Sequence, residues 1–308
     1  MGLTEHILVT GGSGRLGRSV VRGLLAAGHA VTSVDQRLPE APEPGAEYLS
    51  VDLLDTDQTL DAFASVRPDA VISLAAIAVP FSAPEGVILN TNASIAHNVA
   101  SAALEAGCTK IVLASSPTVI GYGAPSGWLP ARFPLDEDTP TLPWNAYGLS
   151  KLVAEQVASM FAAARGKEAR FASFRPCYVI APEEWAGAPT QQGHTVTERL
   201  QDPDLAAPSL FNYVDARDVT DFLLLLLGKM DVIENGSTFF VGAADSLATK
   251  PLSELVPRYV PGSEEKAAVL SGTAPAFSIE RARSVLGWEP KRNWRTELVN
   301  QPNPAREA

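Results

Sequence analysis

The chain has 308 residues, 46% of them hydrophobic and 19% charged, enough for one large domain, or a domain plus a smaller lobe, around a sizeable core. A formal net charge of −11 excludes a nucleic-acid partner, because a phosphate backbone needs a basic face, yet a single local arginine can still hold an anionic small molecule. Two cysteines, Cys108 and Cys177, with no C-x-x-C spacing and no clustered histidine, exclude a disulfide framework and a metal site and point to a reducing cytoplasm.

The first half alternates short β-branched runs with Ala-rich helical stretches, the pattern of a doubly wound parallel sheet. A strand is predicted at residues 6–10, leaving no room for a leader peptide. A helix over 15–27 follows, closed by Gly28, then a strand at 30–35. A Pro-rich loop leads to a short strand near 48–51, a helix over 57–66 and a buried strand at 70–75. Helical spacing resumes over 90–106 and stops at Gly107, and 110–115 is a strand. Residues 117–144 form a loop long enough to be functional. A helix over 145–165 and a strand over 169–174 come next.

Residues 177–211 are Pro-rich and weakly periodic, which suits a segment facing a substrate. Asp215 reads as an N-cap with Asp218 in the capping-box position, opening a helix that carries five successive leucines. That run is far short of the ~20 residues a membrane span needs, so no membrane partner is expected. A strand at 237–241 and a tail of short helices follow, one over 279–286 stopped by Gly287. The organisation expected is a Rossmann sheet domain over 1–176, to which 212–242 returns. Residues 177–211 and 243–308 then make a small C-terminal α/β substrate lobe.

Directly after the first predicted strand comes Thr10-Gly11-Gly12-Ser13-Gly14-Arg15-Leu16-Gly17, a G-x-x-G-x-x-G spacing opening a helix. Gly11, Gly14 and Gly17 allow a tight turn and close approach of a pyrophosphate, which the helix N-terminus then meets with free N–H groups. Asp35 ends the second strand, where a carboxylate accepts the ribose hydroxyls of adenosine and repels a 2′-phosphate. NAD is therefore favoured. Arg15 and Arg37 are what a 2′-phosphate would seek, and they keep NADP open. Further on, Tyr147 and Lys151 stand four residues apart, one helical turn, with both side chains on one face. A neighbouring ammonium favours the phenolate, so the pair can act as a base.

With these motifs the chain resembles the extended short-chain dehydrogenase/reductase family, the NAD-dependent epimerase/dehydratase type, over nearly its whole length. Asp52-Leu53 resembles the family's adenine-contacting pair, and Leu74-Ala75-Ala76 its loop beside the cofactor. Asn92 matches the helix asparagine of the proton relay. Ser115-Ser116 matches the segment with the catalytic hydroxyl, in a register that assigns it to Ser116. Tyr213-Val214-Asp215 and Leu286-Gly287-Trp288 resemble later signatures. The resemblance implies hydride transfer at a secondary hydroxyl of a sugar-type substrate, with Tyr147 moving the proton, Ser116 bonding the same oxygen, and Lys151 tuning Tyr147 and holding the nicotinamide ribose. It also implies a homodimer through the helices that carry Asn92 and Tyr147.

The pattern is broken in places. Dehydratases have an Asp-Glu pair where this chain has Pro117 and Thr118, which disfavours dehydration, and Ile120 stands where many epimerases have Tyr. Cys177-Tyr178 and Ala181-Pro182 replace the usual Asn and Gly-Pro of nucleotide-sugar enzymes, and only about thirty residues follow before Asn212. Pro117, Thr118, Tyr178 and Arg217 are the candidate substrate residues, and Arg175 or Arg217 is expected to pair with a carboxylate should one be present. Two enzyme readings stay open, a recycling nucleotide-sugar epimerase and a dehydrogenase of a free uronic acid or aldose. A non-catalytic dinucleotide sensor is a third.

Overall fold

The computed structural model describes residues 4–299. Its elements run β1 (His6–Thr10), α1 (Arg15–Ala26), β2 (Ala30–Asp35), β3 (Ala46–Ser50), α2 (Thr56–Val66), β4 (Ala70–Ser73), α3 (Glu85–Glu105) and β5 (Lys110–Ala114). After a 3-10 turn at Pro117–Ile120 come α4 (Ala146–Arg165), β6 (Arg170–Pro176), β7 (Val179–Ile180), α5 (Pro182–Trp185), α6 (Val196–Gln201) and α7 (Pro203–Ala206). The chain ends through β8 (Val214–Asp215), α8 (Ala216–Lys229), β9 (Ser237–Val241), α9 (Leu252–Tyr259), α10 (Glu264–Ala267), α11 (Glu280–Leu286) and α12 (Trp294–Glu297).

Seven strands form one parallel sheet in the order β3-β2-β1-β4-β5-β6-β9. Residues such as Ile7, Val9, Val71, Ile111 and Phe171 are fully buried because helices cover both faces, which is why these strands read as unbroken apolar runs. The strand order reverses between β1 and β4, and the crevice beyond the C-terminal ends of those strands is where such sheets take ligands.

Three details differ from the sequence expectation. Helix α3 starts at Glu85 rather than near 90, because Gly86, a weak helix former, hides the start. Asp215 caps α8, accepting from the Arg217 N–H, but Asp218 makes no capping box. Its carboxylate instead accepts the N–H groups of Lys291 and Arg292 and pairs with the Arg292 guanidinium, tying the tail to α8. Finally, residues 177–211 hold helices of four to six residues, too short to show a period.

The tail packs on the sheet. Trp288 is fully buried, edge-on to Phe222 of α8, and its indole N–H donates to the Asp218 carbonyl. The loop after the 3-10 turn is held from the same side. Leu135 pairs with Phe277, and the buried Glu137 carboxylate accepts the Phe240 N–H. One apolar cluster runs from Ile7 and Val9 through Phe222 to Leu286 and Trp288. Among the described residues, no helix is long and apolar enough to cross a membrane, and no acidic, His or Cys cluster could hold a metal ion.

Candidate active site

A cleft of about 640 Å³ opens where the strand order reverses. At one end the chain leaves β1 into the glycine loop. Gly11 has φ +71°, and a Cβ there would lie 2.7 Å from the Ala75 N atom, so the turn and the approach to the loop after β4 both require glycine. A Cβ on Gly17 would sit 2.1 Å from the Gly11 carbonyl oxygen, which makes it the close-packing position between helix and loop. Gly14 is the N-cap of α1 and offers no side chain to the first-turn N–H groups, which are left for an anion.

Gly11, Gly14, Arg15, Leu16 and Gly17 all line this end of the cleft, and so does Asp35 at the tip of β2. Asp35 Oδ2 accepts the Ser13 N–H at 3.3 Å, bracing loop and strand against each other. Asp52 and Leu53 line the wall beyond β3, where Asn98 of α3 donates to the Leu53 carbonyl. Leu74, Ala75 and Ala76 line the floor, with the Ala75 N–H held by the Thr10 hydroxyl. A bare helix N-terminus, a glycine cradle and a carboxylate at the second strand tip fit a dinucleotide in donor set and in space.

Ser116, Tyr147 and Lys151 meet in the middle of the cleft. Tyr147 and Lys151 sit in the first turns of α4, which Asn145 caps by accepting the Gly148 N–H. The Lys151 ammonium lies 5.8 Å from the Tyr147 ring centre and donates to the Ala114 carbonyl at 3.1 Å. Burial pushes the Tyr147 phenol up to about 12 and the Lys151 ammonium down to about 8, and the Ser116 hydroxyl alone pulls the phenol back, so the lowering expected from Lys151 is not what this geometry gives. The two neighbouring serines part company. Ser116 receives the Thr118 N–H and hydroxyl and faces the cleft beside Tyr147. The Ser115 hydroxyl is tied to Glu155 at 2.5 Å.

The remaining candidates divide between the cleft and the core. Asn92 is buried but does not line the cleft; it brackets the Ile77 backbone through both ends of its amide and donates to the Ser150 hydroxyl. Pro117, Thr118 and Tyr178 line the substrate end. Arg217 does not: it pairs with Asp215 and Glu297. Arg175 is likewise spent, in a buried two-pronged pair with Glu155 at 2.7 and 2.9 Å. Trp185, the last residue of α5, packs in the core with its indole donating to Asp215 and takes no part in the cleft.

The sequence reading missed two features. Arg15 bonds Glu184 of α5 and Gln191, and Arg18 bonds Glu183, so the segment after β7 is strapped to the start of α1. Arg199 is 1% exposed and lines the cleft beside Tyr178, Ser209 and Asn212. The available signal was Val196, Arg199 and Leu200 at i, i+3 and i+4, which puts an arginine on the buried face of a short helix.

A parallel sheet of this order, a glycine cradle at its reversal and a Ser/Tyr/Lys centre beside it define a Rossmann-type protein of the extended short-chain dehydrogenase/reductase class. The chain belongs to the NAD dependent epimerase/dehydratase family, whose model matches residues 7–242. It is similar to the UDP-glucose 4-epimerase of Lacticaseibacillus casei, 28% identical over 312 residues covering 92% of this chain and 91% of the relative. In fold it is similar to a short-chain dehydrogenase/reductase superfamily protein of Agrobacterium tumefaciens with bound NAD, at TM-score 0.70 and 24% identity over 98% of this chain and 97% of the other. A UDP-glucose-4-epimerase from Stenotrophomonas maltophila with bound NAD and formylated UDP-arabinopyranose gives TM-score 0.70 at 20% identity, covering 99% of this chain and 100% of the other.

Proposed function

We propose that this chain is an NAD-dependent oxidoreductase/epimerase that moves hydride at a secondary hydroxyl of a sugar or nucleotide sugar. The observation that carries the reading is one continuous cleft with the glycine cradle at one end and Ser116, Tyr147 and Lys151 at its centre. Gly11, Gly14, Arg15, Leu16, Gly17 and Asp35 would hold the pyrophosphate and adenosine ribose, and Asp52, Leu53, Leu74, Ala75 and Ala76 the adenine side. When bound, NAD supplies the hydride acceptor and donor.

Tyr147 takes the proton of the reacting hydroxyl as the carbinol is oxidised and returns it on reduction. Ser116 holds the same oxygen, and the Lys151 ammonium stabilises the phenolate that forms. Asn92 is a positioning residue that fixes the Ile77 backbone and Ser150. Pro117 and Thr118 bring no carboxylate to the site, so β-elimination has no acid here. The strapping of Arg15 by Glu184 supports NAD over NADP, because that guanidinium is already neutralised.

A second reading, a dehydrogenase of a free uronic acid or aldose, is favoured by the short segment between Ala181 and Asn212, which has to enclose whatever binds. In the same reading, residues 177–211 and 243–308 form the substrate lobe. The exposed Val87 of α3 and Leu149 and Met160 of α4 suit a homodimer face, and the two free, buried cysteines suit the cytoplasm.

The test is to incubate the purified protein with NAD or NADP and a panel of nucleotide sugars, aldoses and uronic acids, following nicotinamide absorbance and product chromatography. Conversion of a nucleotide sugar to its epimer without net NADH establishes the epimerase, and steady NADH from a free sugar establishes the dehydrogenase. Dinucleotide binding without turnover of any sugar rejects both.

A further inference from the structure

Among the described residues, Arg199 is a buried cation without an anionic partner. Its guanidinium lies over the Tyr178 ring at 3.9 Å and bonds Gln192 Oε1 at 2.7 Å, His194 Nε2 at 2.9 Å and Ser209 Oγ at 3.1 Å. Guanidinium only donates, so His194 accepts at Nε2 and is neutral. Of the five N–H groups, three are engaged; two remain, one of them Nε–H, which is buried with no partner. The carboxylate with the strongest pull on Arg199, Glu184, is itself bound to Arg15 and to the Ala181 N–H.

Two more unmatched donors belong to the same corner. Asn212, 3% exposed, spends its Oδ1 on the Tyr178 N–H and leaves Nδ2 unpaired, and the Tyr178 hydroxyl is buried and unpaired. Arg199, Asn212 and Tyr178 all line the substrate end of the cleft. Buried donors left empty call for acceptor oxygens.

We propose that this corner is a carboxylate receptor: Arg199, with Asn212 and Tyr178, holds the acid group of a sugar acid. The inference rests on the sugar hydride-transfer reading and names its substrate class. The charge count decides for a carboxylate over a pyrophosphate. Among the described residues, the cations lining the cleft are Arg15, Lys151 and Arg199; the first is neutralised by Glu184 and the second serves Tyr147, so one positive charge is left. The Tyr178 ring covers one face of the guanidinium, leaving the in-plane edge that a flat carboxylate meets with two bonds. Gln192 and His194, on the loop before α6, take both Nη1 N–H groups, so Nε–H and the second Nη2 N–H are the pair left for the acid. By the same count the acid comes from a free uronic acid, and the UDP-glucuronate pair in the test is the nucleotide-linked source that would overturn this choice.

Calorimetry on the NADH-loaded protein tests this with matched pairs: glucuronate against glucose, galacturonate against galactose, and UDP-glucuronate against UDP-glucose. The expected result is that at least one acid binds about 10- to 100-fold more tightly than its neutral mate, the value of charge-assisted hydrogen bonds. The pair that shows the gap identifies the source of the acid. Arg199→Lys and, as a second variant with unchanged volume, Asn212→Asp are each expected to remove that gap while NADH affinity stays at the wild-type value. If neutral mates bind as well as the acids, or no acid binds, the receptor is wrong even where the enzyme turns over UDP-glucose. If an acid binds through Arg199 yet no sugar is oxidised or epimerised, the receptor stands and the hydride-transfer reading falls.

Discussion

Tyr147 and Lys151 depart from their ordinary acidities in opposite directions for one reason: burial disfavours the charged form of each. Tyr147→Phe keeps the ring and removes the proton carrier. Turnover is expected to drop by about 10²- to 10⁴-fold with dinucleotide affinity unchanged, measured by rapid mixing and NADH fluorescence. The lysine carries a stability consequence. Its folded-state value of about 8 lies below the ordinary lysine value of 10.5, so between those pH values the unfolded chain binds more protons, and stability rises with pH across that window. Lys151→Met is therefore expected to raise the melting temperature by about 2–4 °C at pH 7 for each kcal/mol relieved. The gain should fade toward pH 10.5, and a gain constant with pH would show that Lys151 is not strained by burial. Both residues were legible in the sequence because their spacing is local. Arg199 was not, since its meaning lies in which partners it lacks.

At the scale of elements, the strands of the sheet and the long helices were readable because each carries its own period. Helices α5, α6 and α7 were not, being four to six residues long and held by caps and tertiary bonds. The strap between α5 and α1 has the same origin: Glu184 and Arg15 are 169 positions apart, and no local rule joins them. Glu184→Gln leaves the Arg15 guanidinium with a neutral partner. The expected outcome is about a tenfold shift in relative affinity toward NADPH, read by fluorescence titration of both reduced dinucleotides. An unchanged ratio would mean that Asp35 alone sets the preference.

For the whole molecule, the tail is part of the sheet domain's support. Trp288 fills the space beside Phe222 and Asp218 knots the chain at Lys291 and Arg292, so the last helices brace α8 and, through it, the strand β8 beside the cleft. Trp288→Ala is expected to cost about 3–5 kcal/mol in chemical denaturation. A loss under 1 kcal/mol would mean that the tail folds apart from the sheet. The glycine cradle and the Tyr/Lys pair revealed a dinucleotide enzyme from sequence, whereas the substrate end did not, because its walls come from segments 177–211 and 117–144 whose positions depend on the tail. The strap also sets a schedule. Arg15 and Arg18 grip the segment whose far end, at Gln192 and Arg199, would close on the sugar. Each guest is therefore expected to steady the floor under the other, and by reciprocity each would raise the other's affinity by the same factor.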